Sequence, residues 1–159
     1  MLVEEAIQLI NAYKETYVAP EGGEYFIIRM QAVNSIAKDK GIAPREVEIA
    51  AIERDIVPRR YLRNIGSIGR EGQIRLLRST VAVVGVGGLG GTAVELLARQ
   101  GIGHLIIIDH DRFAEEDLNR QLLSTEEDLG EHKAVVALRR VSEINSSVAV
   151  TPYVEKLTR

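Results

Sequence analysis

Over the first fifty positions apolar residues recur at three- and four-residue steps; farther on they gather into short unbroken runs set off by glycine. Between Val3 and Tyr17, the residues Ala6, Ile7, Leu9, Ile10 and Tyr13 form one stripe of an amphipathic helix, which Pro20, Gly22 and Gly23 end. Glu24 to Lys40 predicts a second helix, with Ile27, Met30, Val33, Ile36 and Ala37 on its buried side and Gly41 as its C-terminal stop. A third begins near Pro44, carries Val47, Ala50, Ala51 and Ile52 on one side, and stops before Pro58. Residues 1–58 therefore read as a small helical N-terminal region of about 55 residues, too small to be comfortably stable alone.

After Pro58 the stretch 59–79 is basic and punctuated by glycine, a connector with one helix near its end. Strand and helix then alternate. Residues 80–85 are rich in β-branched side chains, 89–101 are helical, and 104–109 form another buried strand. A loop crosses 110–130. Helix 131–145 follows, with Ala134, Val135, Leu138, Val141 and Ile144 on one face, and 147–154 gives a third strand. This order predicts an α/β fold, a Rossmann-like βαβαβ parallel sheet that is incomplete and preceded by the helical region, with the second domain spanning 59–159.

Composition narrows the picture. The 159 residues are 45% hydrophobic with 4% aromatics and no Trp, so Ile, Val, Leu and Ala must build the core, as suits helices on a parallel sheet. A net charge of -3 offers no long-range attraction for nucleic acid or anionic lipid. The absence of Cys excludes disulfides, thiolate metal sites and thioester chemistry from these residues. Acidic residues stand where a secretory signal would be basic, and no apolar run nears the roughly 18 residues of a membrane span, so a cytoplasmic protein is expected.

The chemistry concentrates after residue 84. The run GVGGLG at 85–90 follows a strand and opens a helix, and Asp109 ends the next strand. Gly85 permits a tight turn. Gly87, followed by Gly88, lets backbone N–H groups approach a phosphate, Gly90 lets helix and strand close up, and Asp109 can accept from ribose hydroxyls. That much suits a nicotinamide enzyme equally well. Arg120 and Lys133 add two cations within reach of the same nucleotide, and a triphosphate has more need of them than a dinucleotide. His104, His110 and His132 show no ligand pattern and read as structural or solvent-facing, and no metal ligand set is evident.

RYLRN (60–64), GVGGLG (85–90), DHD (109–111), DLNRQ (117–121) and GEHKA (130–134), taken together, make the chain resemble the ThiF/MoeB/HesA group of adenylating enzymes, relatives of the ubiquitin-activating enzymes. The resemblance covers about 59–158, roughly the first half of that family's catalytic domain. It implies ATP-dependent adenylation of the C-terminal glycine of a ubiquitin-like sulfur-carrier protein. It also implies that Asp109 holds the ribose and that Arg120 and Lys133 hold the phosphates, with Asp111, Asp117 and Gln121 in the nucleotide site. Arg63 is expected to reach the ATP of a neighbouring subunit, which implies a homodimer. Mg²⁺ is expected with the ATP. The family's metal-binding aspartate, structural zinc site and carrier-binding surface correspond to sequence beyond Arg159, so a truncated or naturally short form is expected, with weak ATP binding and little pyrophosphate exchange.

Two departures bear on the site. Asp117 stands where the family usually has Asn, and a carboxylate there repels a triphosphate unless a metal ion bridges them. Asn64 replaces the usual Gln after Arg63. The alternatives are an NAD(P)-binding Rossmann oxidoreductase or nucleotide sensor, and a non-catalytic interaction module in which residues 1–58 dock a partner. The carrier protein and its pathway are not readable from these residues.

Overall fold

The computed structural model describes residues 2–20 and 22–157. The chain forms two compact units, Met1–Leu77 and Arg78–Arg159.

The first unit is mixed rather than helical. Helix α1 covers Leu2–Ala12, strands β1 and β2 cover Glu15–Val18 and Glu24–Ile28, helices α2 and α3 cover Met30–Lys40 and Pro44–Ile52, and β3 covers Ile56–Pro58. The expected first helix thus stops five residues short of Tyr17, and the expected second gives up its opening residues to β2. The reason lies in pairing partners far along the chain. β2 runs antiparallel to β1 (Glu15 opposite Ile27) and parallel to β3 (Ile28 opposite Pro58), and its β-branched and aromatic residues suit a ladder. Arg29, extended at φ -82° and ψ 153°, separates β2 from α2. Gly41 ends α2 in the left-handed region, its N–H meeting the carbonyls of Ala37 and Lys38. Ala6, Ile10, Ile28, Val33, Ile36, Val47 and Ile56 join the three helices to the sheet in one core.

The stretch read as a connector is more ordered than expected. A 3₁₀ turn at Arg59–Tyr61 leads into helix α4, Leu62–Arg78, which is interrupted at Gly69 (φ 67°, ψ 177°). Fully buried Tyr61 packs with Ile49, Ile52 and Leu77 and donates to Glu48 Oε2 at 3.3 Å.

The second unit follows the alternating pattern closely. Strands β4 (Thr80–Val84), β5 (His104–Ile108) and β6 (Ala149–Tyr153) form a parallel sheet in that order, with helices α5 (Gly88–Gln100) and α6 (Lys133–Ile144) as crossovers. Both helices pack against the sheet and against each other. Leu105 and Ile107 are fully buried beneath them, with Val94, Ala98, Ala137 and Val141 in the same core. Each Leu, Ile or Val among them contributes about 1.5–3 kcal/mol on burial. On the other face of the sheet Val84 is 56% exposed. Across the helix pair, Glu95 on α5 receives Arg99 from its own helix at 2.6 Å and Arg140 from α6 at 3.1 Å. No helix among the described residues is long and apolar enough to cross a membrane.

Candidate functional site

The glycine run forms the tight link between β4 and α5. Gly85 sits at φ 81°, where only glycine is at ease, and its N–H donates to the Ile108 carbonyl at 2.8 Å, tying the turn to β5. A Cβ on Gly90 would lie 1.8 Å from the Gly85 carbonyl oxygen, so the first turn of α5 can close on β4 only with glycine there. The helix opens at Gly88 with no side-chain cap on its N-terminus, leaving backbone N–H groups and the positive end of the helix dipole facing outward.

Asp109 anchors this turn. It is buried, and its Oδ2 accepts from the Val86 N–H at 2.7 Å while its Oδ1 accepts from the Asp111 N–H at 2.8 Å. A carboxylate has lone pairs beyond these two, which leaves acceptor capacity for a sugar hydroxyl. The structure thus gives this acid a role the spacing did not show: it sets the shape of the glycine turn. Asp111 itself is exposed, and its carbonyl accepts from the Lys133 N–H at 3.0 Å, which pins the start of α6 beside the end of β5. Asp109, His110 and Asp111 bring one candidate ligand atom each within 4.8 Å of one another. His110 and Asp111 are exposed, and exposed acidic groups often lie this close together without an ion.

Arg120, Lys133, Asp117 and Gln121 converge. Asp117 is only 6% exposed and stands at the end of a 3₁₀ turn, Glu115–Asp117, where its Oδ2 reaches back to the Ala114 N–H at 3.0 Å. Lys133 Nζ lies 3.3 Å from the same oxygen and 5.5 Å from the centre of the Phe113 ring. Arg120 Nη2 lies 3.4 Å from Asp117 Oδ1, and Gln121 Nε2 donates to that oxygen as well. The Ala114 amide first, then Lys133 and Arg120, outweigh burial and hold the Asp117 carboxyl below the usual aspartate range. Lys133 is 7% exposed, so it is no ordinary surface lysine, whereas the Arg120 side chain is more than half exposed.

This cluster abuts the glycine turn. The Gln121 amide lies 3.8 Å from where a Gly87 Cβ would stand, and the Arg120 carbonyl 3.4 Å from the corresponding point on Gly88. Gln121 Oε1 is buried without a hydrogen-bond partner among the described residues. An open cleft of about 530 Å³ lies along Thr92, Asn119, Arg120 and Gln121, and another of about 350 Å³ lies at the carboxyl ends of β5 and β6, bordered by Ile108, Tyr153 and Lys156. In open parallel sheets this end of the strands is where ligands sit. A third cavity of about 560 Å³ lies between residues 122–128 and α6. Within it Arg139 pairs with Asp128 and Arg140 with Glu143.

The remaining predicted positions fall elsewhere. Arg63 is exposed on α4 in the first unit, and Asn64 donates to Gln73 Oε1 at 2.8 Å. His104 shares a 2.8 Å hydrogen bond with Thr151 on the neighbouring strand, as a structural histidine does. The sequence reading missed Phe113 under Lys133 and the reach of Asp117 back to its own turn. A signal for the latter exists: Glu-Glu-Asp occurs at 115–117 and again at 126–128, and Asp128 makes the same bond to the Thr125 N–H at 2.9 Å.

Fold and site together define a class: an α/β unit whose glycine turn opens an uncapped helix beside two cations, Arg120 and Lys133, that meet at one buried carboxylate. The ThiF family model matches residues 61–159, and the chain belongs to the ThiF family. The sulfur carrier protein adenylyltransferase of Thermus thermophilus is 44% identical over 91 residues, 57% of this chain and 34% of that protein. The chain thus spans about a third of the length of this relative. Among solved structures, Escherichia coli tRNA N6-threonylcarbamoyladenosine dehydratase, TcdA, in complex with ATP superposes with a TM-score of 0.62 at 32% identity, over 63% of this chain and 41% of that one. Escherichia coli MccB with ATP covers 91% of this chain and 55% of its own at 23% identity and a TM-score of 0.58, a likeness of fold alone.

Proposed function

We propose that these residues supply the ATP-holding part of an enzyme that adenylates the C-terminal glycine of a ubiquitin-like sulfur-carrier protein in the cytoplasm. One observation carries the reading: Arg120 and Lys133, far apart in sequence, meet at Asp117 beside the glycine turn that Asp109 anchors. Charge at that place suits a polyphosphate lying across the first turn of α5, with its ribose at Asp109 and its tail at the two cations. The carrier's carboxylate attacks the α-phosphate, and the enzyme's part is to align the reactants and neutralise the departing pyrophosphate. Arg120 and Lys133 serve the second need, and an Arg63 from the other half of a homodimer adds to it. Mg²⁺ accompanying the ATP would supply further neutralisation of the phosphate charge. Asp117 is the acid nearest the two cations, and its two oxygens already accept from four donors, Ala114, Gln121, Lys133 and Arg120.

The test is calorimetric titration of the 159-residue chain with Mg-ATP and with NAD. Mg-ATP is expected to bind more tightly, and Arg120→Ala or Lys133→Met to weaken it by about 1.5–3 kcal/mol, the scale of a charge-assisted hydrogen bond. Tighter binding of NAD than of Mg-ATP would replace this reading with a nicotinamide enzyme.

A further inference from the structure

We infer that Asp117 is a positioning residue that sets the charge selectivity of the nucleotide seat, an internal anion against which any incoming phosphate must compete for Arg120 and Lys133. The inference rests on the proposed ATP site. Its basis is the arrangement of charges. Asp117 is held by two fixed anchors that a ligand cannot remove, the Ala114 N–H at 3.0 Å and the Gln121 amide. Both cations therefore arrive at the ligand with one buried carboxylate already between them, 3.3 Å from Lys133 and 3.4 Å from Arg120. Among the described residues no second acid approaches Lys133 Nζ.

The seat consequently offers the net charge of one cation where the two side chains would offer two. Repulsion from the fixed carboxylate grows with the charge on the ligand. Free ATP, more negative than Mg-ATP, suffers most, while AMP, with no β- or γ-phosphate to bring near the cluster, suffers least. Asp117 thereby selects for polyphosphate that has already been neutralised by a divalent cation.

Asp117→Asn tests this with little change of shape, because the amide oxygen can still accept from Ala114. Asp117→Ser, a second uncharged acceptor, serves if the Asn variant folds poorly. Affinities of the full chain and each variant are measured for ATP in EDTA, Mg-ATP and AMP, with circular dichroism confirming the fold. Loss of the carboxylate is expected to tighten free ATP about tenfold, the scale of one unit charge a few ångströms away in a partly aqueous site, and AMP by less than about twofold. Mg-ATP falls between them. Asp117→Glu, which keeps the charge, is expected to retain the wild-type ranking. Equal tightening of all three ligands, or weaker binding of all three, would overturn the inference and make Asp117 a plain structural cap. Wild-type chain that binds none of the three would instead remove the ATP site itself and this inference with it.

Discussion

Adding one methyl group to Gly90 probes the glycine turn most directly. In Gly90→Ala the new Cβ falls 1.8 Å from the carbonyl oxygen of Gly85 and 2.9 Å from its carbonyl carbon. Both are backbone atoms in a segment tied to β5 through the Gly85 N–H and to Asp109 through the Val86 N–H. No side chain can rotate away to make room, so the first turn of α5 must lift off the strand. Overpacked sites cost about 1–3 kcal/mol when neighbours can adjust, and with rigid neighbours the upper end of that range or more is expected. Two neighbours calibrate the result. Gly85→Ala meets nothing within 4 Å but must hold φ 81°, at a cost of about 1–2 kcal/mol. Gly88→Ala meets only the Arg120 carbonyl at 3.4 Å, an ordinary contact, and is expected within about 0.5 kcal/mol of the parent. Urea titrations followed by far-UV circular dichroism, paired with Mg-ATP titrations, rank the three variants. The expected order of damage is Gly90, then Gly85, then Gly88. A Gly90→Ala protein as stable as Gly88→Ala would show that the closeness of α5 to β4 is not what glycine provides here.

Other outcomes follow from the charged pairs. Glu95→Gln should destabilise by about 1–2 kcal/mol in chemical denaturation, less than a fully buried pair because Arg99 and Arg140 both reach solvent. Burial raises the Glu95 carboxyl, but hydrogen bonds from Arg99 and Arg140 outweigh it and leave it below the ordinary range, so its contribution is present at neutral pH and lost on acidification. The Asp117 carboxyl is depressed in the same way, chiefly by the Ala114 amide. Its stabilisation is therefore complete above the unfolded value of about 3.9 and disappears as pH falls through the lower folded value. The stability gap between wild type and Asp117→Asn should be flat from neutrality down to about pH 5 and close below about pH 4, and a gap that widens on acidification contradicts the ion-pair assignment. Asn145→Ala should cost about 1–3 kcal/mol, since its buried side chain donates to the Ala98 carbonyl at 3.0 Å and accepts from the Ser147 N–H at 3.1 Å, joining the end of α6 to α5.

The second unit was legible because its signals are local. Apolar runs mark β4 and β5, a glycine run marks the turn, and a regular stripe marks α6. The first unit hid its sheet. β1 is four residues long and β2 five, and Tyr13 and Tyr17 happen to continue the helical spacing of α1 across the junction. What makes 24–28 a strand is Ile56–Pro58, which pairs with it from beyond two helices, and no window on the sequence contains both. The site divides along the same line. Glycine, Asp109, Arg120 and Lys133 carry their chemistry in residue type and order. The partners of Asp117 were not legible because they lie 3 and 16 positions away, and only the folded loop brings Lys133, at the start of α6, to it.

β4 has a neighbour on one flank only among the described strands, and this gives the glycine turn an uneven clock. Amide protons of Thr80–Val84 that point toward β5 are locked in the ladder, while alternate ones face outward. Deuterium should enter the strand in two populations, one fast and one slow, just where it hands the chain to Gly85. Anything that later lies along that flank, whether another strand or another subunit, would announce itself by slowing the fast set and leaving the slow set unchanged.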